Sequence, residues 1–198
     1  LAAKQGIASA QFNLGALYSK GKGVRQSFKK AAMFYTRAAK QGNASAQFNL
    51  GLMYDIGEGV TPNYQRAIKW YRLAAQQNNA QAQFNLGQLY ESGERVTQNY
   101  KKVVKWYKLA AGNGNELAQV RLGNLFEKAK GVARNHKEAV KWYRLAAEQG
   151  NETAQFNLGY MYSRGIGVEQ NYSEAVKWYR LAAAQGNILA QFNLGVFY

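Results

Sequence analysis

Apolar side chains return along the chain in two alternating patterns. Ala46, Leu50 and Tyr54 follow one another at i, i+4 and i+8, which is one stripe of an amphipathic helix. A glycine-rich break, Gly57-Glu58-Gly59-Val60, ends that stripe. Beyond it Tyr64, Ala67, Ile68, Trp70, Tyr71, Ala74 and Ala75 make a second, broader apolar face at helical spacing. Large aromatics set against small alanines suit two helices that interlock. The polar positions agree with this reading. Asn43 and Asn63 stand where an N-cap is needed, since an asparagine side chain can accept from an orphan N–H of the first turn. The pattern predicts helix, loop, helix.

The unit then repeats. Ala46-Gln47-Phe48-Asn49-Leu50-Gly51 recurs from Ala10, Ala82, Ala154 and Ala190, and a degraded copy runs from Ala118 to Gly123, each 36 residues from the next. First-helix caps fall at Asn43, Asn79, Asn115, Asn151 and Asn187, and second-helix caps at Ser27, Asn63, Asn99, Asn135 and Asn171. Gly51 and its counterparts lie inside a helix at a cost of about 1 kcal/mol each, so the next helix is expected to approach too closely for a Cβ. Asn78 replaces the glycine that closes other units and is expected to be left-handed. A fixed period of this length predicts an all-α solenoid in which neighbours bury each other's faces. Residues 1–198 read as a single array. Leu1 to Gly6 match Leu145 to Gly150 inside a unit, and Tyr198 falls midway through another, so the expectation is an internal stretch of a longer array with partial repeats at both ends.

Composition sharpens the picture only in part. With 47% hydrophobic residues a continuous core is available, and no apolar run approaches the roughly 18 residues of a membrane span. There is no cysteine, which excludes a disulfide framework and a cysteine metal site, suits the cytoplasm and does not forbid a secreted or periplasmic protein. The 26 Lys and Arg against 11 Asp and Glu give +15, which favours acidic partners without choosing among nucleic acid, membrane and protein.

The A-Q-F-N-L-G-x-x-Y run, the G-x-G-V loop and A-x-K-W-Y-x-x-A-A-x-Q-G together resemble the Sel-1-like repeat family, relatives of the tetratricopeptide repeat, over the whole chain. The resemblance implies a right-handed α/α superhelix with the first helix of each pair on the concave side. It also implies an adaptor role in protein assemblies, commonly in bacteria. A cysteine-rich branch of the family has been described as binding or cleaving β-lactams; without cysteine, neither its disulfides nor that activity carries over.

On the first helix Ser45, Phe48, Asn49 and Leu52 fall opposite the Ala46–Leu50–Tyr54 stripe, and by the resemblance they face the groove. Across the array this gives Phe12, Phe48, Phe84, Val120, Phe156 and Phe192, beside Asn13, Asn49, Asn85, Arg121, Asn157 and Asn193. Asparagine amides match a peptide backbone, so these rows read either as a peptide-binding groove or as an internal ladder with the phenylalanines in the core. Positions that vary on the fixed scaffold, Leu52, Gln88, Asn124 and Tyr160 among them, are where specificity would be written. Arg121 breaks the asparagine row and reads as an anchor for a ligand carboxylate or as the partner of Glu127 or Glu116.

The second helices carry Lys69 and Arg72, Lys105 and Lys108, Lys141 and Arg144, Lys177 and Arg180. This stripe reads as a solvated outer face, with an electrostatic surface for nucleic acid or membrane as the alternative. No nucleic-acid motif accompanies it. His136 is the only histidine, and no nucleophile–base set, zinc motif or phosphate loop can be assembled, so neither catalysis nor a cofactor is expected. The sequence reading is a non-catalytic scaffold for a protein or peptide, with self-association through exposed stacking ends as a further reading.

Overall fold

The helices begin where an asparagine side chain substitutes for a missing acceptor. Asn43 Oδ1 accepts from the Ala46 N–H at 2.8 Å and Asn63 Oδ1 from that of Arg66 at 2.9 Å. Ser27 caps the second helix in the same way, whereas the first helix follows Ile7 and has no side-chain cap. At the far ends the backbone turns left-handed, at Gly57 with φ 83° and at Asn78 with φ 62°. Ala129 holds the same conformation (φ 55°) at the register of Gly57, so the degraded fourth loop keeps its turn after losing its glycine.

The computed structural model describes residues 6–196. They form α1 (Ala8–Lys20), α2 (Phe28–Lys40), α3 (Ala44–Ile56), α4 (Tyr64–Gln76), α5 (Ala80–Ser92), α6 (Tyr100–Gly112), α7 (Glu116–Lys128), α8 (His136–Glu148), α9 (Glu152–Arg164), α10 (Tyr172–Ala184) and α11 (Ile188–Val196), with no strand among the described residues. The chain divides into two compact units, Leu1–Thr97 and Gln98–Tyr198. In the first, α1 packs on α2 and α3 on α4, while α2 also packs on α3 and α4 on α5. In the second, α7 packs on α8 and α9 on α10, with α6 on α7, α8 on α9 and α10 on α11. Within the units α2, α4, α8 and α10 are thus each enclosed by the first helices of their own and the following repeat.

The core is a run of tyrosines lying over glycines. Tyr71, Tyr107, Tyr143 and Tyr179 are fully buried, and a Cβ on Gly51 would stand 2.7 Å from the Tyr71 ring. The glycine inside the helix is therefore retained for this ring. Three members of the phenylalanine row belong to the same core edge, Phe12 lying 5.8 Å from Tyr35, Phe48 5.9 Å from Tyr71 and Phe156 5.8 Å from Tyr179, centroid to centroid, whereas Phe192 is exposed. Tyr64 departs from the expected apolar face and is exposed at the start of α4, beneath the guanidinium of Arg95.

One buried polar position had no role in the sequence reading. Gln47 is buried, donates to the Ala39 carbonyl at 3.1 Å and accepts from Gln77 Nε2 at 2.8 Å. In the second unit Gln119 joins Ala111 and Gln149 in the same way. The amide thereby ties the end of one second helix to the end of the next. Gln47→Leu, similar in volume but without the amide, is expected to cost about 1–3 kcal/mol in chemical denaturation. Gln26→Ala, which removes an exposed bond to Ser19, should stay within about 0.5 kcal/mol of the parent.

Candidate binding face

On α3 the row that holds Ser45, Asn49 and Leu52 continues one turn further to Asp55, because i, i+4, i+7 and i+10 share a helix face. Asn49, Leu52 and Asp55 are half-buried. Asn13 is exposed on α1. Asp55 accepts a 3.3 Å hydrogen bond from the Tyr71 hydroxyl and is paired with Arg95, whose guanidinium lies 4.0 Å over the Tyr64 ring. The Asn85 side chain also bonds the Tyr71 hydroxyl. Burial pushes the Tyr71 phenol well above its ordinary range; the Asn85 bond opposes this, and the Asp55 charge and hydrogen bond add to it. A pocket of about 270 Å³ opens here, lined by Asp55, Asn85, Gln88, Ser92 and Arg95 among others. Two of the sequence-derived candidates, Asn85 and Gln88, are thus brought together with a carboxylate and a guanidinium that the sequence reading left aside.

In the second unit Arg121 is exposed on α7, and no hydrogen bond or ion pair joins it to another described residue, Glu116 and Glu127 included. Glu127 instead takes the Tyr143 hydroxyl at 2.7 Å, and Asn124 lies 2.7 Å from the same hydroxyl. Tyr143 is fully buried, and burial, then the Glu127 hydrogen bond and charge, hold its phenol protonated far above the usual range. Asn157 is half-buried on α9. Tyr160 and Asn193 line a pocket of about 610 Å³ with Tyr172, Tyr179 and Phe192.

The acids show a pattern that alignment of the repeats could have revealed. Counting by 36 from Ser19 gives Asp55, Glu91, Glu127 and Ser163, so three of the 11 acids share one register on the first helix. The hydroxyls beneath this register belong to the buried tyrosines: Tyr35 bonds Ser19, Tyr71 bonds Asp55, Tyr143 bonds Glu127, and Tyr179 lies 3.4 Å from Ser163.

The basic stripe is partly committed to packing. Arg72 donates to the Tyr90 hydroxyl at 2.9 Å, Lys108 lies 5.6 Å over Phe126, and Arg144 bonds Tyr162, so each ties a second helix to the following first helix. Lys105, Lys141 and Lys177 lie over the adjoining Trp106, Trp142 and Trp178 rings at 5.7, 5.7 and 5.3 Å. His136 is half-buried at the start of α8, and among the described residues no group of three His, Cys, Asp or Glu could hold a metal ion. No helix is long and apolar enough to cross a membrane among those residues.

Caps, loops and buried tyrosines repeating every 36 residues define an α/α solenoid of helix–turn–helix repeats. The chain belongs to the Sel1 repeat family, whose model matches residues 8–43, 44–79, 80–115, 117–151 and 153–187. It is similar to c5321, a protective antigen of uropathogenic Escherichia coli strains displaying an SLR fold, at 40% identity and TM-score 0.94. That match covers 98% of this chain and 42% of the other, so the chain spans less than half the length of this relative. A Sel1 repeat protein from Oxalobacter formigenes matches at 39% identity and TM-score 0.83, over 96% of this chain and 76% of that one. The cysteine rich protein B of Helicobacter pylori matches at 27% identity and TM-score 0.52, over 64% and 91%. No curated protein matches the chain. Sel1 repeat proteins are in general protein–protein interaction scaffolds without catalysis.

Proposed function

We propose that this chain is a non-catalytic scaffold that holds a protein or peptide against the first-helix face of its repeats. The observation that carries the reading is a constant framework presenting variable, accessible side chains at one register: Leu52, Asn124 and Tyr160 are half-buried or exposed while Tyr71, Tyr143 and Tyr179 beneath them do not change, and Gln88 at the same register is exposed. Asn49, Asn85 and Asn157 supply amides beside them, Asn13 and Asn193 continue the row in sequence, and Arg121 supplies an unpaired guanidinium for a partner carboxylate. The second-helix stripe fits the competing electrostatic role less well, because Arg72, Lys108 and Arg144 are engaged between helices.

A photo-crosslinking residue placed at 88 or 160 is expected to capture one discrete protein in cells, and the same residue at Lys69 or Lys141 is expected to capture none. Once that protein is in hand, Asn85→Ala with Arg121→Ala should weaken it about tenfold or more, with helicity unchanged. Capture only from the second-helix positions, with affinity falling steeply as salt rises, would transfer the function to the basic stripe.

A further inference from the structure

We infer that Glu127, held by Tyr143 and flanked by Asn124, receives a guanidinium or ammonium side chain of the bound protein. The inference rests on the first-helix face being the binding surface, and it names what that face recognises in the second unit. The chain itself contains an occupied example of this register. Asp55, two periods earlier, takes the Tyr71 hydroxyl from below and the Arg95 guanidinium from outside. Arg95 lies 40 residues beyond Asp55, in the loop that follows α5.

At Glu127 the lower half is the same, and the half-buried carboxylate has no cation paired with it among the described residues. The Tyr143 hydroxyl stands 2.7 Å from the carboxylate, and the residue 40 positions on is Gly167, which has no side chain to reach back. The counterpart of the Tyr64 ring is His136, half-buried at the start of α8. A hydroxyl has one proton, and Tyr143 has both Glu127 and Asn124 at 2.7 Å. As placed, the Asn124 Oδ1 and the Glu127 carboxylate compete for that one proton; both contacts are satisfied when the Asn124 amide turns over, the phenol donating to the carboxylate and the Asn124 N–H donating to the phenol oxygen. That orientation turns the Asn124 carbonyl outward beside the free carboxylate lone pairs, giving two adjacent acceptors for the N–H groups of a guanidinium. The +15 charge of the chain does not prevent this, because exposed charges beyond about 8 Å are screened at physiological ionic strength.

The test uses the intact 198-residue chain, labelled with ¹⁵N, and titrated with Nα-acetyl-arginine N-methylamide at low salt. The Asn124 side-chain amide is expected to shift saturably. The citrulline analogue, equal in shape but uncharged, should bind about tenfold more weakly. Glu127→Gln keeps an acceptor for Tyr143, so the fold is preserved, and it should weaken the arginine derivative by a similar factor. Glu148→Gln, at an exposed acid that ends α8, should leave the titration unchanged. Equal binding of citrulline, or an unaltered titration in Glu127→Gln, would overturn the inference. Failure of the broader reading looks different: arginine would bind as expected, yet crosslinkers at 88 and 160 would capture nothing. Conversely, a captured partner indifferent to Glu127→Gln keeps the binding face and removes the cation site.

Discussion

Tyr71→Ala is expected to lower stability by about 3–5 kcal/mol, read from the denaturation midpoint at neutral pH. The ring is fully buried and occupies the space that a Cβ on Gly51 would need, with Phe48 5.9 Å away. Its neighbours cannot close the gap, because Ala67, Ala74 and Ala75 are short and lie on the same buried face. Tyr71→Phe separates the ring from its hydroxyl: it loses only the bonds to Asp55 and Asn85, at about 1–2 kcal/mol. The same tyrosines set an alkaline limit. The phenols of Tyr35, Tyr71 and Tyr143 are raised in the folded state, chiefly by burial. A raised folded value means their contribution is complete below the unfolded value of about 10 and is lost as pH rises above it, since unfolding then releases protons. Stability should therefore fall from about pH 10 upward, and less steeply in Tyr71→Phe. A slope unchanged by that substitution would show that Tyr71 ionises in the folded state as readily as in the unfolded one.

The architecture was legible because its determinants are local. Asn43 and Asn63 announce helix starts by residue type, Asn78 announces a left-handed turn, and Gly51 announces a close approach; each expectation needs only a few neighbours in sequence. The contacts that complete the packing are not local in that sense. Gln47 reads as one polar letter of a motif, and its burial follows only from the positions of Ala39 and Gln77 in flanking second helices. The Asp55–Arg95 pair depends on a loop 40 residues away that has lost the glycine found at Gly59, Gly131 and Gly167. The acid register at Asp55 and Glu127 was visible once repeats were set in line, but its meaning depends on tyrosine hydroxyls arriving from beneath. Arg121 could be singled out as a departure from the row, whereas its lack of a partner on α7 is a matter of side-chain direction.

The loop glycines lead to the other large expected effect, best measured as a contrast. Gly59→Ala should cost at least about 2 kcal/mol more than Gly42→Ala, although both residues have positive φ, 69° and 87°. Each substitution carries the left-handed penalty of about 1–2 kcal/mol for a residue with a Cβ. At Gly42 nothing lies within 4 Å of the added atom, so the cost ends there. At Gly59 the Cβ would stand 2.3 Å from the carbonyl carbon and oxygen of Phe28 and 2.8 Å from the Lys29 nitrogen. Those are backbone atoms at the start of α2 and cannot rotate aside, so the loop must lift from the helix that it covers. The third repeat lacks a glycine at this place. Arg95 stands one period after Gly59, is not held at positive φ, and spans the join by lying over Tyr64, the counterpart of Phe28. Alanine has no such arm. Because the damage falls at the join between repeats and not within a helix, Gly59→Ala should keep its helical circular dichroism in the cold while its denaturation midpoint falls. Equal midpoints for Gly59→Ala and Gly42→Ala would mean that the loop contributes conformation alone, and that the join is held by the tyrosine core without it.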